Sequence, residues 1–215
     1  MSIHGMRIAV LAVMCSGCAL TSKAEPNVFR YFTPEGLDAP APAAPATRTD
    51  VSAASSIQLR IGRVSAAAYL REEIAFRDSS YEVSYLDDAR WTERPDTFVR
   101  RALARVLFEQ RGMRQIIAGA GPTIDVELSA FEELRAPRHA ARVQMTWTLR
   151  DQQVVRVEET FAVERPLSSK GAAPPSDIAR AIASALDEAV SRIASRTIEV
   201  LGPTVTPSAT VSQTR

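Results

Sequence analysis

Hydrophobic residues recur every second position through much of the second half of the chain. Val143, Met145, Trp147 and Leu149 alternate with Gln144, Thr146 and Thr148. Beyond Asp151-Gln152-Gln153, Val155, Val157, Glu159, Phe161 and Val163 keep the same period, and strict alternation is the mark of a half-buried strand. So short a connection excludes a crossover, and the two runs predict an antiparallel hairpin. Upstream, Thr123 to Phe131 predicts another strand, with Ile124, Val126, Leu128 and Ala130 on one face. Ile57, Leu59 and Ile61 predict a strand that gives way to a small-residue turn, Ser65-Ala66-Ala67-Ala68. The second half of Tyr69–Arg77 and the run Tyr81–Tyr85 predict two strands around a turn at Asp78-Ser79-Ser80. Near the start, Phe29, Tyr31 and Thr33 alternate with Val28, Arg30 and Phe32, which predicts a strand with one well-buried face. Its partner strand could belong to this domain or to a neighbouring subunit.

Two stretches switch to helical spacing. Phe98, Val99, Ala102, Leu103, Val106 and Leu107 form one apolar stripe between Pro95, suited to a first turn, and Gly112, suited to a C-terminal cap. Arg100, Arg101, Arg105 and Glu109 fall off that stripe and read as a solvated face, with a partner or headgroup contact as the alternative. The second helix follows Pro174-Pro175, with Ser176 as expected N-cap and Ile178, Ile182, Ala185, Leu186, Ala189, Val190 and Ile193 on its inner side. Gly202-Pro203 ends it. The element order therefore predicts an α/β (α+β) domain: a single mixed or antiparallel sheet with two amphipathic helices packed on it.

Composition narrows the function classes. In 215 residues, 26 Lys and Arg stand against 25 Asp and Glu, a balance that argues against a nucleic-acid binder. Both cysteines, Cys15 and Cys18, lie near the start, so nothing remains for a disulfide framework or zinc cluster in the body. Arg7 and the apolar run Ile8–Met14 have the layout of an export signal, and the run falls far short of the ~20 apolar residues of a membrane span. Ser16-Gly17 supplies small residues before Cys18. The stretch resembles the lipobox of bacterial lipoproteins, in which the cysteine is acylated, although Cys15 stands where Leu is usual. An ordinary secretion signal is the alternative. The implied division is a signal peptide at 1–17, a lipidated tether with a short strand and Pro/Ala-rich loop at 18–55, a folded domain at 56–201 and a tail at 202–215. Loss of Arg7 with the signal leaves a formally neutral chain, which assigns anchoring to the lipid on Cys18. Ala19 after the cysteine implies, by the lipoprotein sorting rule, the outer membrane.

Tyr69-Leu70-Arg71-Glu72-Glu73-Ile74-Ala75-Phe76-Arg77, then Ala89-Arg90-Trp91 before the first helix, resemble the ABC-type transport auxiliary lipoprotein family. In that family a Tyr-Leu segment and an Ile-x-x-Arg segment precede a strand ending near Arg-Trp. Glu72-Glu73 departs from the more usual turn residues. The resemblance implies a non-enzymatic periplasmic lipoprotein of a lipid-trafficking system comprising an ATPase, a permease and a mammalian-cell-entry (MCE) domain protein. A second copy of the chain is a further candidate partner. Tyr69, Leu70, Ile74 and Trp91 are expected to serve packing. No cofactor or metal is implied beyond the lipid.

Catalytic groups are sparse. His139 is the only histidine outside the export signal and reads as a solvated loop residue, so Ser–His–Asp chemistry would have to recruit it. Ala118-Gly119-Ala120-Gly121-Pro122 lacks the lysine and following helix of a phosphate loop. Asp87-Asp88 and Glu132-Glu133 are adjacent pairs whose side chains diverge in an extended chain. Another envelope binding or assembly lipoprotein is the runner-up reading, and a lipid-anchored hydrolase the third.

Overall fold

The computed structural model describes residues 28–35, 57–168 and 172–202. Cys18, the export signal, most of the Pro/Ala-rich segment and the C-terminal tail lie outside the described residues. The elements run β1 (Arg30–Phe32), β2 (Gln58–Ala66), β3 (Glu73–Arg77), β4 (Ser84–Trp91), α1 (Pro95–Ala104), β5 (Arg114–Gln115), β6 (Thr123–Leu134), β7 (Ala140–Asp151), β8 (Val154–Pro166) and α2 (Pro175–Leu201). Together they form an α+β domain: an open, mixed eight-stranded sheet with two helices packed on it.

β6 organises the sheet. One edge pairs antiparallel with β7 along its whole length, from Thr123 opposite Arg150 to Leu134 opposite Ala140. The other edge is shared. β2 lies parallel to its first half and β3 parallel to its last residues. From β3 the sheet continues through β4 to β1, and from β2 to the two-residue β5. The β7–β8 hairpin turns at Gln152 and Gln153, both at positive φ (45° and 78°), which suits a tight two-residue connection.

The helices cover one face. Ile124, Val126, Leu128 and Phe131 of β6 stand opposite Leu149, Trp147, Met145 and Val143 of β7, and all eight are buried. α1 packs over β2 and β6, and α2 over β7 and β8. Every residue of the expected α1 stripe is buried. The helix widens into a π-helical segment, Arg105–Gln110, and Gly112 follows at φ 71°, a conformation that costs glycine little.

Several expectations need correction. Ser65 and Ala66 belong to β2, not to a turn, because they pair with Glu127 and Leu128; the chain turns at Ala68-Tyr69 instead. The strand expected at Tyr81–Tyr85 begins at Ser84 and runs to Trp91. Ser176 does not cap α2. Pro174 takes that position, its carbonyl accepting the N–H groups of Asp177 and Ile178, and Pro175 fills the first turn where no N–H is needed. β1 joins this domain, parallel to β4, but has no well-buried face. Tyr31 is 64% exposed and Phe32 only half-buried, since an outermost strand is covered on one side at most. The arginines off the α1 stripe are not merely solvated. Arg101 pairs with Glu35 and Glu93, Arg105 with Asp187 of α2 at 2.7 Å, and Arg100 donates to the Gly62 carbonyl. The hydrogen bond to Glu35, foremost, raises the Arg101 pKa.

Candidate functional site: the uncovered face of the sheet and the acids behind it

Among the described residues, the helices leave the opposite face of the sheet open, and two grooves cross it. The first, of about 530 Å³, is lined by Arg63, Asp125, Glu127, Thr146, Arg150 and Glu158 among others. The second, of about 400 Å³, is lined by Arg77, Glu132, Arg142 and Glu164 with the serines of the β3–β4 turn. Both mix acids with arginines. Asp125 ties the first together, accepting from the Arg63 backbone N–H at 2.7 Å and from Arg150. Such walls suit a polar protein surface. They do not suit an acyl chain, because enclosing charges beside hydrocarbon without new partners is costly.

The second groove stands on a buried acid. A register shift between Leu128 and Ala130 reverses which residues of β6 face the helices, so Phe131 and Glu133 turn inward and Glu132 turns to the open face. Glu132 is 1% exposed. Its carboxylate accepts from Arg77 Nε at 2.7 Å and lies 3.0 Å from the Tyr69 hydroxyl, which also reaches the Ser129 carbonyl at 2.8 Å. The Arg77 guanidinium lies over the Tyr69 ring, and the Tyr85 hydroxyl donates to the Tyr69 carbonyl. Burial pushes the Tyr69 hydroxyl from 10.0 up to about 12, with the Glu132 charge adding and the Arg77 hydrogen bond opposing. Burial alone would lower Arg77. Its hydrogen bonds to Tyr69 and Glu132 outweigh that and raise it.

The sign of the Tyr69 shift sets an alkaline limit. A hydroxyl harder to ionise in the fold stabilises it fully below pH 10, and that contribution fades as pH rises toward 12. Stability measured by urea titration between pH 9 and pH 11.5 should fall less steeply in Tyr69→Phe than in the parent. Equal slopes would show that Tyr69 carries no such load.

Glu133 points the other way, into the end of the core, and is fully buried. It meets Arg135 at 3.0 Å, His139 Nε2 at 2.6 Å and the Ala173 N–H at 3.0 Å, just ahead of α2. His139 is therefore not a solvated loop histidine: its side chain is 15% exposed and holds a buried carboxylate. Glu132 and Glu133 do diverge, as an extended pair must. Their burial was not legible, since the arginines that satisfy them lie far away in sequence or in the next loop.

The remaining sequence-derived residues fall into the core. Leu70, in the β2–β3 connection, and Ile74, in β3, are both buried. Trp91, at the end of β4, meets Phe131 edge-on at 5.3 Å and Phe98 at 6.2 Å. The Tyr-Leu and Ile-x-x-Arg pattern thus combines two apolar anchors with the two polar groups that satisfy Glu132. Among the described residues no three His, Cys, Asp or Glu side chains gather as a metal site, and no helix is long and apolar enough to cross a membrane.

Comparison with known proteins accords with this architecture. A crystal structure from Xanthomonas campestris, assigned to the DUF330 family, superposes with a TM-score of 0.61 at 21% identity, covering 67% of this chain and 85% of that one. An uncharacterised protein superposes with a TM-score of 0.59 at 14% identity, covering 79% and 98%. At those identities the likeness establishes the fold alone. No curated protein matches. The family model for the ABC-type transport auxiliary lipoprotein component matches residues 37–194, and the chain belongs to that family.

Proposed function

We propose that the chain is a non-enzymatic lipoprotein, anchored through Cys18 to the periplasmic face of the outer membrane, that serves an ABC-type lipid transport system with an MCE-domain protein. Its working surface is the open face of the sheet, which docks the permease–ATPase–MCE assembly. The observation that carries this reading is the character of that face: two grooves of interleaved arginines and acids, backed by the rigid Tyr69–Arg77–Glu132 network. A charge-patterned, pre-organised surface favours selective protein docking over carriage of lipid by this chain.

Nine residues separate Cys18 from Val28. The chain between Cys18 and Val28 can extend ~30 Å, enough to hold the domain clear of lipid headgroups. Replacing Cys18 with Ser should abolish acyl mass on the protein, read by mass spectrometry, and leave it unprocessed or free of the membrane fraction. Acylation persisting in Cys18→Ser would remove Cys18 from its assigned role.

A further inference from the structure

The β5–β6 connection, Ile116 to Pro122, is seven residues without a charge. Hydrogen bonds to β2 fix it. The Ile116 N–H donates to the Leu59 carbonyl at 2.8 Å, the Arg60 N–H to the Pro122 carbonyl at 2.9 Å, and the Arg60 guanidinium to the Gly119 carbonyl between them. Gly119 takes φ 95°, which costs glycine little, and the Ile116 side chain occupies the space a Cβ at Gly121 would need. Ile117, next along, is left 89% exposed. The β7–β8 turn stands beside this loop, since Gly119–Gly121 and Gln152–Gln153 line one cavity of about 380 Å³. Val154 and Val155, which follow that turn, are 54% and 51% exposed. An apolar side chain exposed singly needs no explanation. Here three from two adjoining turns are exposed together, one of them on a loop fixed at both ends and at its apex.

The cavity between the two turns is basic. Arg60 and Arg150 line it with Thr123, and among the described residues no carboxylate does. Arg60 Nε is buried without a hydrogen-bond partner there. Arg150 is half exposed and pairs with Asp125. The strand ends that frame the cavity carry four arginines, with Arg114 on β5 and Arg156 on β8, against two acids, Asp125 and Asp151.

From this combination we infer that the β5–β6 loop and the β7–β8 turn contact the surface of an anionic phospholipid bilayer. Ile117 and the two valines meet the acyl boundary, and a headgroup phosphate meets Arg60 and Arg150. Guanidinium groups form charge-assisted hydrogen bonds to phosphate oxygens, and Arg60 Nε gains the partner it lacks. Apolar side chains entering the interface and arginines drawn to anionic headgroups add to each other in surface binding. An acidic protein surface would satisfy the arginines and leave the three apolar side chains in water. An apolar one would enclose the arginines unpaired, which is costly. A bilayer of anionic lipid answers both. The inference does not rest on the docking role of the open face.

Fluorescence from the full chain reconstituted in vesicles tests it. Ile117→Cys, labelled with an environment-sensitive dye, should shift its emission to the blue in phosphatidylethanolamine–phosphatidylglycerol vesicles. Lipid spin-labelled near the headgroup end of its acyl chain should quench it. That lipid is placed either in the host vesicles or in added ones, so contact with either bilayer is read. The parent, labelled in parallel, gives the background from its own cysteines. Tyr81→Cys is the control, because Tyr81 is 99% exposed in the β3–β4 turn, beyond the opposite end of β6, and its probe should stay in water. Arg114→Glu with Arg156→Glu, or Val154→Asp with Val155→Asp, should each lower the quenched fraction several-fold, as should vesicles of phosphatidylcholine alone. An Ile117→Cys probe that stays in water in both arrangements would overturn the inference. So would equal quenching of the Tyr81→Cys probe, or quenching indifferent both to the charge changes and to the lipid charge. All these positions are exposed, and unchanged urea midpoints confirm that the variants fold.

Discussion

Arg77→Ala should lower the folding free energy by about 3 kcal/mol, because it leaves Glu132 charged and buried with only the Tyr69 hydroxyl beside it. Breaking a buried ion pair from one side costs roughly 3–5 kcal/mol. The 21% exposure of Arg77 admits some solvent, which argues for the lower end. A paired change, Arg77→Met with Glu132→Leu, removes both charges and should recover most of the loss, since apolar replacement of a whole buried pair is often neutral. Urea titration of the detergent-solubilised protein separates the two. If the single substitution costs no more than the paired one, the network contributes little and the groove floor is not rigid for the reason given.

Trp91→Ala should cost about as much, roughly 3–5 kcal/mol. The indole is 1% exposed and packs edge-on against Phe131 and Phe98, so its removal opens a cavity where β4, β6 and α1 meet. It also weakens β1, whose Phe32 stands beside Trp91 in register. Trp91→Phe should cost far less, about 1–2 kcal/mol. It keeps the aromatic edge contact and discards an indole N–H that meets no acceptor among the described residues. Comparable losses in the two variants would show that a phenyl ring does not replace the packing of the indole at this position.

What the sequence made legible follows from local physics. The β7–β8 hairpin declares itself because period-two alternation on both sides of Asp151-Gln152-Gln153 leaves no room for another connection. The α1 stripe declares itself because six apolar residues at helical spacing have only one way to be buried. The last turn of β6 does not. Its register shift breaks the alternation at Ser129, and nothing in two adjacent glutamates announces burial until Arg77 from β3 and His139 from the next turn are brought beside them. β5 is too short to show a period, and β1 looked buried because its aromatic residues are those that usually are. The candidate site shares this limit: Tyr69 and Arg77 were visible as motif positions, but their common partner Glu132 was not.

The central claim is that the open face of the sheet docks a transport assembly. A photo-crosslinking residue at Thr148, on that face, and another at Arg180, on the exposed side of α2, put it to a direct test in living cells with the full chain. The account predicts that Thr148 captures the MCE-domain protein or the permease of the system and that Arg180 does not. Capture of neither component from Thr148, or equal capture from both positions, would contradict it.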